Sequence, residues 1–496
     1  MGVRRAELLC ALSLATDLSQ GQTLEWELRA CRLALVLAAE VGADLREVYD
    51  LALLRYIGCT GHAHEVAALL GDDVAVRGRA PLVDLGRLSA VLADTWRNAG
   101  PGVALGLVAR GPGPVKESFR AGCEVARLLA DRLGFAGAAV ESLAFAFERW
   151  DGRGYPNRVK AEAVPLPMRI VQLAQDADAW YRTGGVEPAI DLARSRAGGA
   201  HDPALVEVFC RVGPGVLAEI HAESAWGAVL DAEPPPAVMI DSAGLADACA
   251  VVADYADLKS AYTAGHSRGV AELVAGAARA CHLPAPEVEE AERAALLHDL
   301  GRTAISNAVW DKPGPLTESE WERVRLHPYY TERMLSRCPG LAEAASLGSY
   351  HHERQDGKGY HRGVPGSVLP LPARLLAAAD AYQAMTQARA HRAARAPAEA
   401  AAALRADPLL DPDAVEAVLG AAGHRWRRTA TGDLTEREIE VLRLVARGQT
   451  SKQVATSLGV SRRTVDHHIA HIYDKTGVST RGAVVLWALQ NGITQL

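Results

Sequence analysis

An internal repeat constrains the fold of this chain more than any other feature of its 496 residues. The segment E-R-W-D-G-R-G-Y-P at 148–156 matches E-R-Q-D-G-K-G-Y-H at 353–361, which lies 205 positions later. The same offset relates V-P-L-P-M-R-I at 164–170 to L-P-L-P-A-R-L at 369–375. Similarity at one offset over two separated blocks indicates a duplicated structural unit. The sequence therefore predicts two related domains.

Breaks in composition delimit the domains. A proline-rich segment at 231–237 and a polar connector at 425–433 interrupt the chain. A chain of this length is expected to form several domains, and we place them at 1–230, 238–424 and 434–496. Phe and Tyr together number only 17, and Ala, Leu, Arg and Glu dominate, which favours helices. The predicted fold class is all-α, with two tandem helical domains and a smaller third one.

Cysteine usage and hydropathy bear on the compartment. The eight cysteines are scattered without a C-x-x-C pair, as in proteins of a reducing cytosol. The N-terminal segment has two arginines and a short apolar stretch, but Asp17 interrupts it and no small-residue cleavage site follows, so we interpret it as an amphipathic helix. No apolar run reaches the length of a membrane span. We expect a soluble cytoplasmic protein that does not associate with membranes.

The third domain has regularly spaced helix signals. T-x-x-E at 435–438 and T-x-x-Q at 450–453 are capping-box patterns, each of which begins a helix. L-G-V-S at 458–461 resembles the tight turn between two packed helices, with glycine where the backbone needs a positive φ. A fourth helix at about 480–491 would cover the apolar side. The pattern predicts a four-helix domain containing a helix-turn-helix.

Charge divides unevenly between this domain and the rest. Residues 425–496 hold 11 Lys and Arg against 6 Asp and Glu, whereas the other 424 residues hold 42 against 54. A basic domain on an acidic body favours a polyanionic partner. The alternative is a helical bundle that binds protein rather than DNA.

The stretch L-T-E-R-E-I-E-V-L-R-L-V to V-S-T-R resembles the LuxR/FixJ/GerE family of regulators along its whole length. The resemblance implies that the third helix lies in the major groove and that promoter DNA is a partner, bound by a homodimer on paired half-sites. Asp466 departs from the family, which usually has a basic or neutral residue there. The residues expected near DNA bases are Thr464, Val465, His467 and His468, and those expected at phosphates are Lys452, Arg462, Arg463 and Lys475.

The central domain contains histidines and aspartates at intervals that helices could bring together. Asp380 lies inside the apolar stretch L-L-A-A-A-D-A-Y, where an unpaired carboxylate would be costly. Five histidines and two aspartates suit a dinuclear centre of iron or manganese, which can polarise a phosphodiester and generate hydroxide. These residues are His266, His298, Asp299, His327, His351, His352 and Asp380.

Their order, together with L-L-H-D-L-G-R, K-P-G-P-L-T and H-H-E-R-Q-D-G-K-G-Y, resembles the HD-GYP branch of the HD phosphohydrolases over about 255–395. The resemblance implies hydrolysis of cyclic di-GMP with two or three metals. It implies that one metal is held by His266, His298, Asp299 and Asp380, and the other by His327, His351 and His352, with Asp299 bridging.

Several positions depart from the family. Its lysine after H-D-x-G is replaced by Arg302, and its glutamate before the first histidine by Tyr262. G-Y-P becomes G-Y-H at 359–361, and R-P-Y-R becomes R-A-H-R at 389–392. We therefore expect an intact metal site beside an altered substrate site. The residues expected at the substrate phosphate are Arg302, Tyr360, Arg389 and Arg392.

The first copy lacks every ligand that can be aligned. R-Y at 55–56 replaces H-D, A-F at 146–147 replaces H-H, and Gln175 replaces the helix aspartate. L-E-W-E at 24–27 occupies the region of the first histidine. The copy is predicted to be degenerate, with a structural or sensing role.

Three functions are compatible with the sequence. The first is a regulator whose central domain hydrolyses a cyclic dinucleotide and couples this to DNA binding. The second is a transcription factor that binds a nucleotide or other small ligand without turnover, which the altered substrate site favours. The third is a diiron oxygenase, against which the H-H-E-R-x-D-G-x-G-Y loop argues.

Overall fold

The computed structural model describes residues 2–423, 434–490 and 493. The chain forms two compact units, divided after Asp241, a few residues beyond the predicted start of the second domain at 238. Its regular structure is almost entirely helical, which confirms the predicted all-α class. A short antiparallel pair of strands, β1 (Val3–Arg4) and β2 (Met239–Ile240), joins the two ends of the first unit.

Thirteen helices of the described residues form the first unit. They are α1 (Arg5–Ser19), α2 (Trp26–Val41), α3 (Leu45–Leu54), α4 (Ala63–Leu70), α5 (Asp73–Arg79), α6 (Leu88–Ala99), α7 (Pro101–Arg110), α8 (Gly113–Arg132), α9 (Ala138–Ser142), α10 (Leu166–Gly184), α11 (Val186–Arg196), α12 (Pro203–Ile220) and α13 (Ala225–Asp231).

The second unit begins with the helices of the central domain. They are α14 (Ser242–Asp257), α15 (His266–Ala280), α16 (Ala285–Leu297), α17 (Asn307–Trp310), α18 (Glu318–Arg325), α19 (His327–Leu335), α20 (Ala342–Gly348), α21 (Leu371–Thr386), α22 (Pro397–Arg405) and α23 (Pro412–Ala421). The predicted connector at 425–433 lies outside the described residues.

The two repeats share local devices that begin equivalent helices. Both α2 and α15 follow a residue in the left-handed region, Glu25 with φ 69° and Gly265 with φ 74°. In both, an aspartate of the preceding helix accepts hydrogen bonds from the first turn, Asp17 from the N–H groups at 26 and 27 and Asp257 from Ser267. Helices α10 and α21 both have proline in their first turn, where no N–H is needed. These details support the predicted repeat.

The last four described helices form the predicted helix-turn-helix domain, namely α24 (Glu436–Ala446), α25 (Ser451–Leu458), α26 (Arg462–Thr476) and α27 (Arg481–Gln490). Thr435 and Thr450 cap the first two helices through the predicted capping boxes. Ser461 caps α26, and Gly459 has the left-handed φ of 65° that the turn requires. Val441, Leu442, Val454, Ile472 and Val484 are among the side chains of its core.

The length and hydropathy of a helix decide whether it can span a membrane. Among the described residues, no helix has both the length and the apolar character needed to cross a bilayer.

Candidate functional site

Three histidines of the central domain are oriented in the same way. The ring Nδ1 of each lies at hydrogen-bond distance from the backbone carbonyl three residues earlier. Because a carbonyl can only accept, Nδ1 carries the hydrogen and Nε2 keeps a free lone pair. The pairs are His298 with Ala295 (2.7 Å), His327 with Val324 (2.6 Å) and His351 with Gly348 (2.7 Å).

His266 needs a different acceptor because it is the first residue of α15 and has no helical turn before it. Its Nδ1 lies 2.9 Å from Oε1 of Gln387, and its Nε2 lies 3.1 Å from Oδ1 of Asp380. Asp257 fixes the start of the helix by accepting from both the N–H and the hydroxyl of Ser267, each at 2.8 Å. The ring nitrogen that faces the cluster is therefore again Nε2.

Asp299 lies at the centre of the histidines. Its carboxylate oxygens are 3.4 Å from His327 Nε2, 3.5 Å from His298 Nε2 and 3.6 Å from His351 Nε2. Burial alone would raise the pKa of Asp299, but His298, Arg302 and His327 lower that pKa well below its usual range. Asp380 is also held ionised, because His266 and His352 outweigh the effect of burial on its pKa.

Three histidines of the cluster have lowered pKa values. Burial, together with the neighbouring rings of His298 and His327, lowers the pKa of His351 to about 3. Burial also lowers the pKa of His352 and that of His266. Neutral imidazole is the form that binds metal, so these rings are available as ligands at neutral pH.

Two observations show that the cluster fits metal ions. The Nε2 of His298 is buried without a hydrogen-bond partner among the described residues. The Nε2 atoms of His327 and His351 lie 3.0 Å apart, and neither would carry a hydrogen in the neutral tautomer that their Nδ1–carbonyl contacts favour. Facing lone pairs repel unless a cation lies between them. Imidazole nitrogens with carboxylate oxygens suit divalent iron, manganese or zinc.

The ligand atoms group into overlapping sets, each within 4.8 Å. The seven residues predicted from the sequence are all present in one buried cluster. The sets are His266 with His298 and Asp380, then His298 with Asp299 and His351, and finally His327 with His351 and His352.

Two of the predicted phosphate-binding arginines lie at this cluster. Arg302 Nη1 is 3.0 Å from Asp299, and its guanidinium lies 3.9 Å above the Trp310 ring. Arg389 donates to the carbonyl of Tyr262 (2.5 Å) and has Nη2 3.5 Å from His266 Nδ1. Burial lowers the pKa of Arg389 to about 10, so it stays cationic at neutral pH.

The other two predicted phosphate-binding residues have different surroundings. The Tyr360 ring packs against His352 with centroids 4.6 Å apart and lines a cavity of about 860 Å³. Arg392 donates to the carbonyls of Met385 and Gln387 at the end of α21. Its guanidinium therefore stabilises the backbone there, which differs from the expected role at phosphate.

The corresponding region of the first repeat is filled by its own side chains. The guanidinium of Arg55 donates to Gln175 Oε1 (2.6 Å) and to the carbonyl of Ala146 (2.9 Å). Tyr56 stacks on Trp26 with centroids 5.5 Å apart, and Phe147 packs beside it. A fixed cation and aromatic rings thus occupy the positions that correspond to predicted ligands in the second repeat.

The helix-turn-helix domain exposes most of the predicted DNA-contacting residues. Lys452, Arg462, Arg463, Thr464 and His467 are exposed, and His468 is half-buried. Two expectations need correction. The side chain of Val465 is fully buried in the domain core, so it supports α26 and does not reach DNA. Lys475 forms an ion pair with the buried Glu438 at 2.7 Å, so its ammonium is committed within the domain.

Sequence reasoning missed several residues that shape the site. Asp257 could have been found, because Asp17 has the matching position in the first repeat. Gln387 had no such signal, since it contacts a histidine 121 positions away. Trp321, which lines the cavity beside Tyr360, was also missed.

Comparison with known proteins agrees with this geometry. An HD domain family matches residues 250–413, and the luxR family of bacterial regulatory proteins matches residues 433–488. The chain is 32% identical over 431 residues to the 3'3'-cGAMP-specific phosphodiesterase 3 of Vibrio cholerae. The aligned region covers 83% of this chain and 93% of that protein. A cyclic di-GMP phosphodiesterase of Pseudomonas aeruginosa is 41% identical over 132 residues, or 26% of this chain and 32% of that protein.

A solved structure also matches most of this chain. The crystal structure of a cyclic GMP-AMP specific phosphodiesterase of Vibrio cholerae, V-cGAP3, matches with a TM-score of 0.60 at 27% identity. The match covers 86% of this chain and 99% of that one. The chain therefore belongs to the HD-GYP family of metal-dependent phosphodiesterases, and it additionally carries a luxR-family domain.

Proposed function

We propose that the central domain hydrolyses a 3',3'-cyclic dinucleotide, either cyclic GMP-AMP or cyclic di-GMP, to a linear dinucleotide. The observation that carries this proposal is the cluster of five histidines and two carboxylates, in which four of the histidines face inward through Nε2. The Vibrio cholerae relative, which aligns with 83% of this chain, is named for 3'3'-cGAMP. The Pseudomonas aeruginosa relative, which aligns with 26% of this chain, is named for cyclic di-GMP.

The chain would hold two divalent ions, iron or manganese. His266, His298, Asp299 and Asp380 would hold one ion and His327, His351 and His352 the other, with Asp299 shared. When bound, such a pair polarises a phosphodiester and supplies hydroxide at neutral pH. Arg302 and Arg389 add fixed positive charge at the edge of the cluster, where it favours a phosphate and its transition state.

The test begins with anaerobic purification and measurement of iron and manganese per chain. The protein is then assayed with cyclic GMP-AMP and cyclic di-GMP beside a variant carrying His298→Ala and Asp299→Ala. We expect about two metals and linear product from the wild type, and loss of both from the variant. The matched control is His282→Asn, because His282 lies outside the cluster and asparagine tolerates its φ of 59°.

Other results of this experiment would favour one of the two alternative functions or would contradict the proposed metal site. Two metals with tight nucleotide binding but no product would indicate a ligand-sensing regulator. Oxygen consumption by a reduced iron centre would indicate an oxygenase. Absence of metal would contradict the proposed site.

We also propose that the luxR-family domain binds promoter DNA as a homodimer and that nucleotide occupancy of the central domain changes its affinity. The exposed basic residues at the start of α26 support DNA binding. Gel shifts on promoter fragments with and without cyclic dinucleotide measure this coupling. Equal affinity in both conditions would contradict it.

A further inference from the structure

The second repeat has a large cavity beside the metal cluster for which the proposed chemistry supplies no role. Its volume is about 860 Å³, and its lining includes the predicted metal ligand His352 and Tyr360, whose ring packs against that of His352. The lining also includes Trp321 and Arg325 from α18, with Lys358 from the G-K-G-Y loop. The cavity therefore adjoins the predicted metal ligands through His352.

The lining has the chemistry of a nucleotide site. Trp321 leaves 43% of its surface exposed, although a large aromatic residue is normally buried. Three cations, Arg325, Arg354 and Lys358, line the cavity against one carboxylate, that of Glu318. Arg354 is fixed by donation to the carbonyl of Glu353 at 2.9 Å, whereas the side chains of Arg325 and Lys358 remain 51% and 86% exposed. An exposed ring beside solvent-exposed cations suits a stacked base and a phosphate.

The first repeat lacks this arrangement at the equivalent positions. With the offset of 205, Lys116 replaces Trp321 and Phe119 replaces Val324. Phe119 stacks on Tyr155, the counterpart of Tyr360, with ring centroids 5.3 Å apart and an interplanar angle of 13°. The tyrosine face that borders the cavity in the second repeat is thus covered in the first.

We propose that this cavity is the subsite for the second nucleotide of the substrate. While one phosphodiester lies at the metal cluster, a purine base of the other half stacks on Trp321, and the second phosphodiester lies near Arg325 and Lys358. The inference rests on the proposed function and deepens it. The enzyme selects dinucleotides over small phosphodiesters through contacts remote from the reacting phosphorus.

The test compares two substrates in the full-length metal-loaded protein. Loss of one base–aromatic stack predicts that Trp321→Ala raises KM for the cyclic dinucleotide roughly 5- to 100-fold. The same variant leaves hydrolysis of bis(p-nitrophenyl) phosphate unchanged, because that substrate does not reach the cavity. Trp321→Phe restores most of the affinity. Trp96→Ala, which removes a 55% exposed tryptophan of the first unit, is the control and changes neither substrate.

Binding measured by equilibrium dialysis separates this inference from the proposed function. If wild-type protein binds cyclic di-GMP without turnover and Trp321→Ala loses that binding, the subsite stands although the hydrolytic function fails. If wild type hydrolyses cyclic dinucleotide and Trp321→Ala keeps its KM, the subsite is wrong although the function stands. Equal loss on both substrates would indicate a structural role for Trp321 and would also overturn the inference.

The charged part of the subsite has its own measurement. Replacing Arg325 and Lys358 by alanine weakens dinucleotide binding and reduces its dependence on salt concentration, because two cation–phosphate contacts are removed. An unchanged salt dependence would contradict a second phosphate at this position.

Discussion

At the scale of single residues, the group that accepts the Nδ1 hydrogen decides which ring nitrogen faces the centre of the histidine and aspartate cluster. This holds for four of the five histidines. Three rings use the carbonyl of their own preceding turn, so their orientation comes with the helix. His266 instead depends on the side chain of Gln387, which follows the end of α21. Such outer partners fix the tautomer and orientation of ligating histidines.

We expect Gln387→Leu to lower metal affinity by about 10- to 100-fold, because leucine has a similar size but cannot accept the Nδ1 hydrogen. Affinity is measured by competition with a chromophoric chelator. Gln383→Leu is the control, because Gln383 also lies on α21, with its side chain against Gly269, but is not one of the cluster residues. Equal affinity in the Gln387 variant and wild type would show that the amide does not orient the ring.

Individual residues also show what could and could not be predicted from the sequence. All seven predicted ligands lie in one cluster, and they were predicted from residue type and from the order of motifs that resembles the HD-GYP branch. Val465 and Lys475 were assigned to DNA on their positions along α26, but which side of a helix is buried depends on packing. Val465 packs into the core with Val441 and Ile472, and Glu438 draws Lys475 inward from 37 residues away.

At the scale of elements, the repeated E-R-x-D-G-x-G-Y loop is a folding device rather than a metal-binding one. Glu353 accepts from the backbone N–H of Arg362 (2.8 Å) and Val364 (2.9 Å), and Glu148 does the same at Asn157 in the first repeat. A Cβ at Gly359 would lie 2.4 Å from the Cα of Glu353. These demands explain why the loop is retained in the copy that has lost its ligands.

The first turn of α2 contains a buried acid that makes stability depend on pH. Glu27 accepts from the Thr16 hydroxyl at 2.8 Å, and burial together with the charge of Asp17 raises its pKa well above the usual range. The folded state therefore keeps a proton that the unfolded state loses above about pH 4. The contribution to stability is full below that pH and falls as pH rises.

Glu27→Gln removes this titration while keeping the shape of the side chain. We expect the two proteins to have similar unfolding temperatures at pH 5 and the variant to be more stable at pH 8, by at least about 2 °C. Thermal unfolding followed by circular dichroism at both pH values is the measurement. A difference that is constant with pH would show that Glu27 is ionised in the folded state.

At the scale of the whole molecule, a basic domain is joined to an acidic body. The division of charge, the two repeats and the helix-turn-helix were all readable from sequence, because each is a property of a continuous segment. The cavity beside the metal cluster was not readable. The cavity depends on the space between α18 and the G-K-G-Y loop, which no local sequence pattern encodes.

Replacing Arg462 and Arg463 by alanine is expected to weaken binding to promoter DNA almost equally for all sequences. It should also lower the slope of log affinity against log salt by about two, because two phosphate contacts are lost. Fluorescence anisotropy over a salt series measures both effects. Arg405→Ala, which removes an exposed arginine of the central domain, should leave the slope unchanged.

The guanidinium of Arg55 gives the two halves of the chain different needs. The proposed site of the second repeat would take its positive charge from bound metal ions. In the first repeat the charge is covalently attached, and Gln175 and a backbone carbonyl hold it in place. That charge cannot be chelated, oxidised or exchanged. If the second repeat holds the proposed iron or manganese ions, removal of metal by a chelator would therefore stop turnover there while leaving the first repeat folded around Arg55.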